Sequence, residues 1–126
     1  MMKIILDTNF LIYCTKEKLD YVEEIGNLID ENYEIVIPSQ VIEELKRLRI
    51  TTKKGKDKTA SDLALKILKS KNIKIIETVG KNVDNAIINL AEENKKNIVC
   101  TLDREMRFKL GRVILINKGR KLMLTR

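Results

Sequence analysis

Apolar residues occur along the chain as short runs separated by longer stretches with helical periodicity. The runs predict five strands, at residues 3–6, 34–37, 73–77, 98–101 and 113–116, the first of them buried. Apolar positions spaced three to four residues apart predict helices in the stretches between the strands. These helices are expected up to about residue 14 and at 19–31, from 39 onward, 58–71, 81–95 and 104–109. The alternation predicts an α/β fold with an open parallel sheet that is covered by helices on both faces.

Acidic residues recur where the predicted strands end or the next helices begin. Asp7 follows the first strand and Asp103 follows the fourth, whereas Glu44 and Asp84 lie on the first turns of two helices. In open parallel sheets, ligands bind outside the carboxyl ends of the strands. The spacing therefore predicts that the four carboxylates meet at one edge of the sheet.

The helical positions of two of these acids bear on the same prediction. At about 100° per residue, Glu44 falls on the flank of the buried face of its helix, whereas Glu43 points toward solvent. The same arithmetic places Asp84 at the edge of a buried face and directs Asn85 outward. A carboxylate that borders a buried stripe is costly unless it is paired or binds a metal. Each acid could also be a plain helix cap or dipole partner, but four independent caps need not share one location.

Composition narrows the chemistry that such a site could perform. The 126 residues are 44% hydrophobic and fit one domain, 1–126. No apolar run could cross a bilayer and no signal segment is evident, so a cytoplasmic protein with no membrane partner is expected. Cys14 and Cys100 are expected to be reduced, buried thiols. The lack of histidine excludes Ser-His-Asp and Cys-His catalysis, and two cysteines cannot form a four-ligand zinc site.

Charge points to a polyanionic partner. The chain has 25 basic and 18 acidic residues, a formal net charge of +7, which favours nucleic acid. The stretch 46–58 is strongly basic and is expected to form an exposed loop that binds phosphate, although a solvated charge run explains any one lysine as well. The residues expected to contact nucleic acid are Arg47, Arg49, Lys53, Lys54, Lys56, Lys58, Arg104 and Arg107.

A cluster of carboxylates needs a cation or must take up protons, because like charges at close range repel. Oxygen ligands without histidine or thiolate select Mg²⁺ or Mn²⁺ over zinc. Such an ion would lower the pKa of a bound water and offset charge on a phosphodiester. Polar side chains beside the acids could orient the ligands or water; these are Thr8, Asn9, Ser39 and Thr101. The residues therefore predict a metal-dependent nuclease, which we interpret as one that acts on RNA.

Four stretches, in this order and at this spacing, resemble the motifs of PIN-domain nucleases. They are Leu6-Asp7-Thr8-Asn9, the segment 38–45 ending in Glu44-Leu45, Val83-Asp84-Asn85 with Ala86-Ile87, and Thr101-Leu102-Asp103-Arg104. The resemblance covers essentially the whole chain. It implies a three-layer α/β/α sandwich with a parallel five-stranded sheet of order 3-2-1-4-5. It also implies cleavage of single-stranded RNA with Mg²⁺ or Mn²⁺, with Asp7, Glu44, Asp84 and Asp103 in the catalytic and metal-binding roles.

The resemblance leaves the biological role open. The basic stretch and the ending Asp103-Arg104 with Arg112-Val113-Ile114 look closest to the branch linked to ribosomal RNA processing. Toxin ribonucleases of toxin–antitoxin pairs share the same acids, and a non-catalytic RNA-binding scaffold in ribosome assembly is a third interpretation. An antitoxin, a ribosome-assembly partner and a homodimer all remain open. Asn85 stands where some relatives carry a further acid.

Two other folds that gather aspartates at strand ends fit less well. A receiver domain requires an acidic pair at the end of the first strand, and a haloacid-dehalogenase-type phosphatase requires a second aspartate two places after the first. Here Asp7 is followed by Thr8 and Asn9. The tail after residue 116 is basic but ends in an apolar Leu122-Met123-Leu124, so it is expected to dock on the domain.

Overall fold

The computed structural model describes residues 1–51 and 55–125, in which strands and helices alternate. The strands are β1 Met2–Leu6, β2 Tyr33–Pro38, β3 Lys74–Ile76, β4 Ile98–Cys100, β5 Val113–Ile116 and β6 Leu122–Leu124. The helices are α1 Thr8–Lys16, α2 Tyr21–Leu28, α3 Ser39–Thr51, α4 Gly55–Ser70, α5 Val83–Glu92 and α6 Met106–Leu110.

The strands form one sheet in the order β3-β2-β1-β4-β5-β6. The pairs among β1 to β5 are all parallel, which confirms the predicted order 3-2-1-4-5. The sixth strand was not predicted as a strand. It pairs antiparallel with β5, with Ile114 opposite Leu124, and so the apolar end of the tail completes the sheet instead of merely docking on it.

The central strand shows that helices cover both faces of the sheet. Ile4, Ile5 and Leu6 follow one another in β1, and all three are fully buried. Successive side chains of a strand point to opposite faces, so each face must be covered at this strand. This is the three-layer arrangement that the sequence predicted. None of the described helices has the length and apolar composition needed to cross a membrane.

The basic stretch differs from the prediction. An exposed loop over 46–58 was expected, but α3 continues to Thr51 and α4 begins at Gly55. Lysine and arginine are good helix formers, and the hydroxyl of Thr51 donates to the carbonyl of Arg47 at 2.8 Å within the last turn of α3. The predicted roles of Lys53 and Lys54, and of the Lys56 side chain, lie outside the described part of the chain.

Two helices begin later than predicted because polar side chains cap their N-termini. The Asp20 carboxylate accepts from the backbone N–H of Glu23 at 3.1 Å, so α2 begins at Tyr21. The Asn82 side chain accepts from the backbone N–H of Asn85 at 2.9 Å, so α5 begins at Val83. The second cap fixes where the first turn of α5, and with it one of the predicted acids, is placed.

Candidate active site

Asp7 lies at the carboxyl end of the central strand, between β1 and α1. Its Oδ1 accepts from the backbone N–H of Thr8 at 2.7 Å and thereby caps α1. Its Oδ2 accepts from the hydroxyl of Thr101 at 3.0 Å, and its own N–H donates to the carbonyl of Cys100 at 3.1 Å. The side chain is thus fixed across the β1–β4 pair and is only 7% exposed.

Thr101 connects Asp7 with the fourth predicted acid. It is fully buried, and its Oγ1 accepts from the backbone N–H of Asp103 at 3.0 Å while it donates to Asp7. The side chain of Asp103 is exposed, and its Oδ1 accepts from the N–H of Glu105 at 2.9 Å. The backbone of Asp103 is therefore held beside Asp7, while one of its carboxylate oxygens closes the turn that leads into α6.

The acids on the two helices face the site to different degrees. On α3, Glu44 is half-buried and Glu43 is exposed, as their helical positions predicted. On α5, Asp84 is exposed and Asn85 is half-buried, the reverse of the predicted order, in which Asp84 lay at the edge of the buried face and Asn85 pointed outward. The cause is the segment before α5: a Cβ at Gly80 would lie 3.0 Å from the backbone carbon of Asn85, so this segment packs over the first turn.

Electrostatics link three of the acids. The pKa of Asp7 is raised from 3.8 to about 6, chiefly because burial disfavours its charged form. The hydrogen bonds from Thr101 and Thr8 lower this pKa, whereas the negative charges of Asp84 and Glu44 raise it. Carboxylates interact in this way only when they are near one another, so Asp7, Glu44 and Asp84 share one neighbourhood.

The acids around Asp7 are not arranged as a complete set of metal ligands. Within residues 1–51 and 55–125, no three acidic or cysteine side chains are close enough together to hold a metal ion. The donor types still fit a hard cation, because the carboxylates are accompanied by hydroxyls and not by imidazole or a free thiolate. The buried Oγ1 of Thr8, next to Asp7, has no hydrogen-bond partner among the described residues.

The other predicted supporting residues have distinct positions. Asn9 is exposed on α1. The Ser39 hydroxyl accepts from the backbone N–H of Thr78 at 3.3 Å, so it holds the chain between β3 and α5 in place. Thr101 holds Asp7 directly.

The sequence did not single out Gln40, which makes a similar contact. Its Nε2 donates to the carbonyls of Thr78 and Gly80, at 3.4 and 3.3 Å. The 78–80 segment is thereby tied to α3. An open groove of about 510 Å³ lies beside this segment and reaches Glu44 and Arg47. A single glycine shortly before a helix was the only sequence signal for this arrangement.

The cations predicted to bind nucleic acid differ in whether they are paired with a carboxylate. Arg47 lies 3.8 Å from the Glu44 carboxylate, and Arg49 lies 3.5 Å from that of Asp62. Three others are exposed: Lys58 on α4, Arg104 before α6 and Arg107 on α6. The predicted cations that are exposed and without an ion pair among the described residues are thus on α4, on α6 and on the stretch that leads into α6.

Comparison with known proteins places the chain in a family. A family model described as a PIN-like domain matches residues 4–118. The chain belongs to the PIN-like domain family. This PIN-like domain is also 45% identical over 111 residues to the protein named ribonuclease VapC4 of Methanocaldococcus jannaschii, covering 87% of this chain and 83% of that protein. The resemblance seen in the four motifs is confirmed.

Solved structures share the fold of this PIN-like domain. The PIN domain endonuclease Utp24 matches with a TM-score of 0.77 at 21% identity, over 97% of this chain and 90% of that chain. VapBC2 from Rickettsia felis, solved with a DNA fragment from its promoter, matches with a TM-score of 0.60 at 24% identity. That match covers 86% of this chain and 92% of that chain.

Proposed function

We propose that this PIN-like domain is a ribonuclease that hydrolyses phosphodiester bonds of single-stranded RNA with Mg²⁺ or Mn²⁺. The observation that carries the proposal is the buried carboxylate of Asp7, whose pKa of about 6 is raised by burial and by the charges of Asp84 and Glu44. A divalent cation would relieve this repulsion without protonating the acids. The relative at 45% identity, named a ribonuclease, supports the same activity.

In this proposal carboxylate oxygens of Asp7, Glu44, Asp84 and Asp103 would hold the ion. Because no three of these side chains lie close enough together in the described structure, the exposed side chains of Asp84 and Asp103 would turn toward it. When bound, it supplies Lewis-acid chemistry: it acidifies water and offsets the charge that builds up on the phosphate oxygens. The chain itself orients the acids. Thr101 bonds to Asp7 and to the backbone of Asp103 at the same time, at 3.0 Å each, and so fixes the two relative to each other.

A non-catalytic RNA-binding scaffold explains the acids less well. A protein that only binds a polyanion gains nothing from concentrated negative charge. Burial of the Asp7 carboxylate is also unfavourable without a counterion. Binding without cleavage remains the outcome that would support the scaffold.

A second candidate is a toxin ribonuclease with an antitoxin partner. It is favoured by the 45% identical relative named VapC4 and by the fold shared with VapBC2. Participation in ribosomal RNA processing rests on the resemblance of the motifs alone. Co-expression with the product of a neighbouring gene, followed by purification, would distinguish the two: a toxin is expected to form a stable complex that suppresses RNA cleavage.

The activity can be tested with end-labelled single-stranded RNA in Mn²⁺, in Mg²⁺ and in EDTA. We expect cleavage only with the metal, and loss of at least about 100-fold in rate for Asp7→Asn and for Asp103→Asn, because even the partners of metal ligands cost up to that much when mutated. The matched control is Glu92→Gln, which removes an exposed carboxylate at the far end of the α5 helix that carries Asp84.

A thermal scan tests metal binding separately from cleavage. Mn²⁺ is expected to raise the melting temperature of the wild type and of Glu92→Gln, because a ligand that binds only the folded state stabilises it. Asp7→Asn should abolish the increase. An unchanged melting temperature in a protein that still binds RNA would favour the scaffold.

A further inference from the structure

Phe108 is the most exposed large hydrophobic residue among those that the structure describes. It lies on α6, and 87% of it is accessible. Met106, two positions earlier, is 2% exposed and anchors the same helix in the core. A helix turns by about 100° per residue, so residues two apart point in nearly opposite directions. The burial of Met106 therefore holds the ring of Phe108 in solvent.

Exposed cations flank Phe108 in the sequence. Arg104, Arg107, Lys109 and Arg112 are all exposed, and the stretch 104–112 contains a single acid, Glu105. Within the described residues, none of these four cations forms a salt bridge. An aromatic face among unpaired cations is the combination with which proteins bind single-stranded nucleic acid: the cations contact phosphates, and bases stack on the ring.

The surface lies next to the candidate active site. Asp103 is five residues before Phe108, so their Cα atoms are separated by at most about 18 Å. The Asp103 backbone is fixed to Thr101, and Thr101 to Asp7. The α6 helix also packs against α5, which carries Asp84. A strand of RNA whose phosphate reaches the acids would pass near α6.

We propose that Phe108, with Arg104, Arg107, Lys109 and Arg112, forms a stacking surface that binds a base of single-stranded RNA close to the scissile phosphate. The proposal deepens the proposed function and rests on it for the position of the scissile bond. Stacking is sequence-tolerant because every base has a π face, so this surface adds affinity without selecting one base.

A protein partner fits this surface less well. The centres of protein–protein interfaces are depleted of charge, whereas here one exposed aromatic residue lies within four positions of four exposed cations. A hydrophobic contact would also need only apolar area, and leucine could supply it. Stacking needs a flat π face, which leucine lacks. Comparing the effects of leucine and aromatic substitutions of Phe108 therefore distinguishes an RNA base from a protein partner.

The test is the binding of a fluorescein-labelled single-stranded RNA, measured by anisotropy in EDTA so that no metal-dependent cleavage occurs. We expect Phe108→Ala to weaken binding by about 5- to 150-fold, the range of one lost base stack. Phe108→Leu should weaken it as much, and Phe108→Trp should preserve it. The matched control is Ile75→Ala, which truncates a 56% exposed apolar residue on β3, far from β5 in the strand order.

Salt dependence separates the ring from its cations. Arg107→Ala should reduce the slope of log K against log salt by about 0.7, the value for one phosphate contact on a single strand. Phe108→Ala should leave this slope unchanged, because stacking releases no counterion.

The inference is overturned if Phe108→Ala binds RNA as the wild type does, if Phe108→Leu retains full affinity, or if the wild type does not bind RNA. A change in oligomeric state of Phe108→Ala without a change in RNA affinity would also overturn it, in favour of a protein interface. Its failure is distinguishable from that of the proposed function. If the wild type binds RNA through Phe108 but never cleaves it, the stacking surface is supported and the proposed nuclease activity is contradicted. If the wild type cleaves RNA and Phe108→Ala binds RNA as well as the wild type does, the nuclease activity is supported and the stacking surface is contradicted.

Discussion

At the scale of single residues, Asp7 combines burial with negative charge. It is 7% exposed, and two hydrogen bonds, from Thr8 N–H and the Thr101 hydroxyl, compensate only part of the cost of desolvating its carboxylate. Glu44 and Asp84 add to the cost. A residue that destabilises the metal-free fold in this way is expected where function requires a charge, because structural stability alone would favour a neutral side chain.

The pH dependence of stability should reveal this residue. Between its ordinary pKa of 3.8 and its native value of about 6, Asp7 binds a proton in the folded state that it has lost in the unfolded state. The protonated Asp7 therefore contributes to the stability of the fold below pH 4, and this stabilisation is lost as pH rises through 6. A shift of about two units corresponds to about 3 kcal/mol.

Asp7→Asn removes this dependence. In EDTA, we expect the free energy of unfolding of the variant minus that of the wild type to be about 3 kcal/mol larger at pH 8 than at pH 4, which means that the variant is relatively more stable at pH 8. Urea unfolding at several pH values measures it, with Glu92→Gln as the exposed control. An equal difference at both pH values would show that Asp7 ionises at its ordinary pKa.

Thr101 offers a second prediction at this scale. Thr101→Val keeps the shape but removes the hydroxyl that donates to Asp7 and accepts from Asp103, and leaves buried groups unpaired. We expect a loss of about 1–3 kcal/mol in unfolding free energy, and a native pKa of Asp7 above 6, because this bond lowers it. NMR titration of the Asp7 carboxyl carbon measures the pKa.

Thr101→Ser is the matched control, because it restores the hydroxyl and removes only a methyl group. It should recover most of the stability and the native pKa of Asp7. If Thr101→Ser shifts that pKa as much as Thr101→Val does, packing and not the hydrogen bond controls the carboxylate.

At the scale of elements, the 78–80 segment determines how α3 and α5 face each other. Ser39 and Gln40, at the start of α3, bond to Thr78 and Gly80, and the Asn89 side chain on α5 donates to the carbonyl of Val79 at 2.8 Å. The two helices carry Glu44 and Asp84, so this short connection sets the relative position of two of the predicted ligands.

Gly80→Ala tests that connection. An added Cβ would lie 2.6 Å from the backbone nitrogen of Ala86, so the segment must move away from α5. We expect a loss of about 1–3 kcal/mol in unfolding free energy, together with weaker binding of Mn²⁺ measured by calorimetry.

The matched control is Gly55→Ala at the start of α4, where an added Cβ meets nothing within 4 Å. Removal of a helical glycine there should be neutral or stabilising by up to about 1 kcal/mol, with unchanged Mn²⁺ binding. Equal effects of the two substitutions on Mn²⁺ binding would contradict a positioning role for the 78–80 segment.

At the scale of the whole molecule, the two thiols report on global unfolding. Burial raises the pKa of Cys14 to about 12 and raises that of Cys100 well above its ordinary value, and both side chains are fully buried. Thiolate is the reactive form, so the native protein is expected to react negligibly with a disulfide reagent at pH 8.

Thiol labelling in increasing urea should therefore follow the unfolding curve measured by circular dichroism. Both cysteines are expected to react in the same transition, since they belong to one core cluster. Rapid labelling of either thiol in the absence of urea would show local opening at α1 or β4 below the global free energy of unfolding.

The local pattern of the sequence was sufficient for most of the fold. Apolar runs predicted β1 to β5; the runs of β1, β4 and β5 are apolar because these strands are largely buried on both faces, whereas β3 at the edge of the sheet is largely exposed. The helix ends were less accurate, since caps such as Asp20 and Asn82 compete with periodicity. The strand order came from the resemblance of the four motifs, and the sheet confirms it.

The sequence by itself determined which residue types are available: carboxylates at strand and helix junctions, hydroxyls beside them, no histidine, and an excess of positive charge. These depend only on composition and local order. The tertiary structure alone decided that Thr101 bonds to Asp7 across 94 positions, that the Asp7 carboxylate is desolvated near Glu44 and Asp84, and that the Phe108 ring faces solvent. Burial and electrostatic coupling depend on which distant segments meet, and local patterns carry no direct record of that.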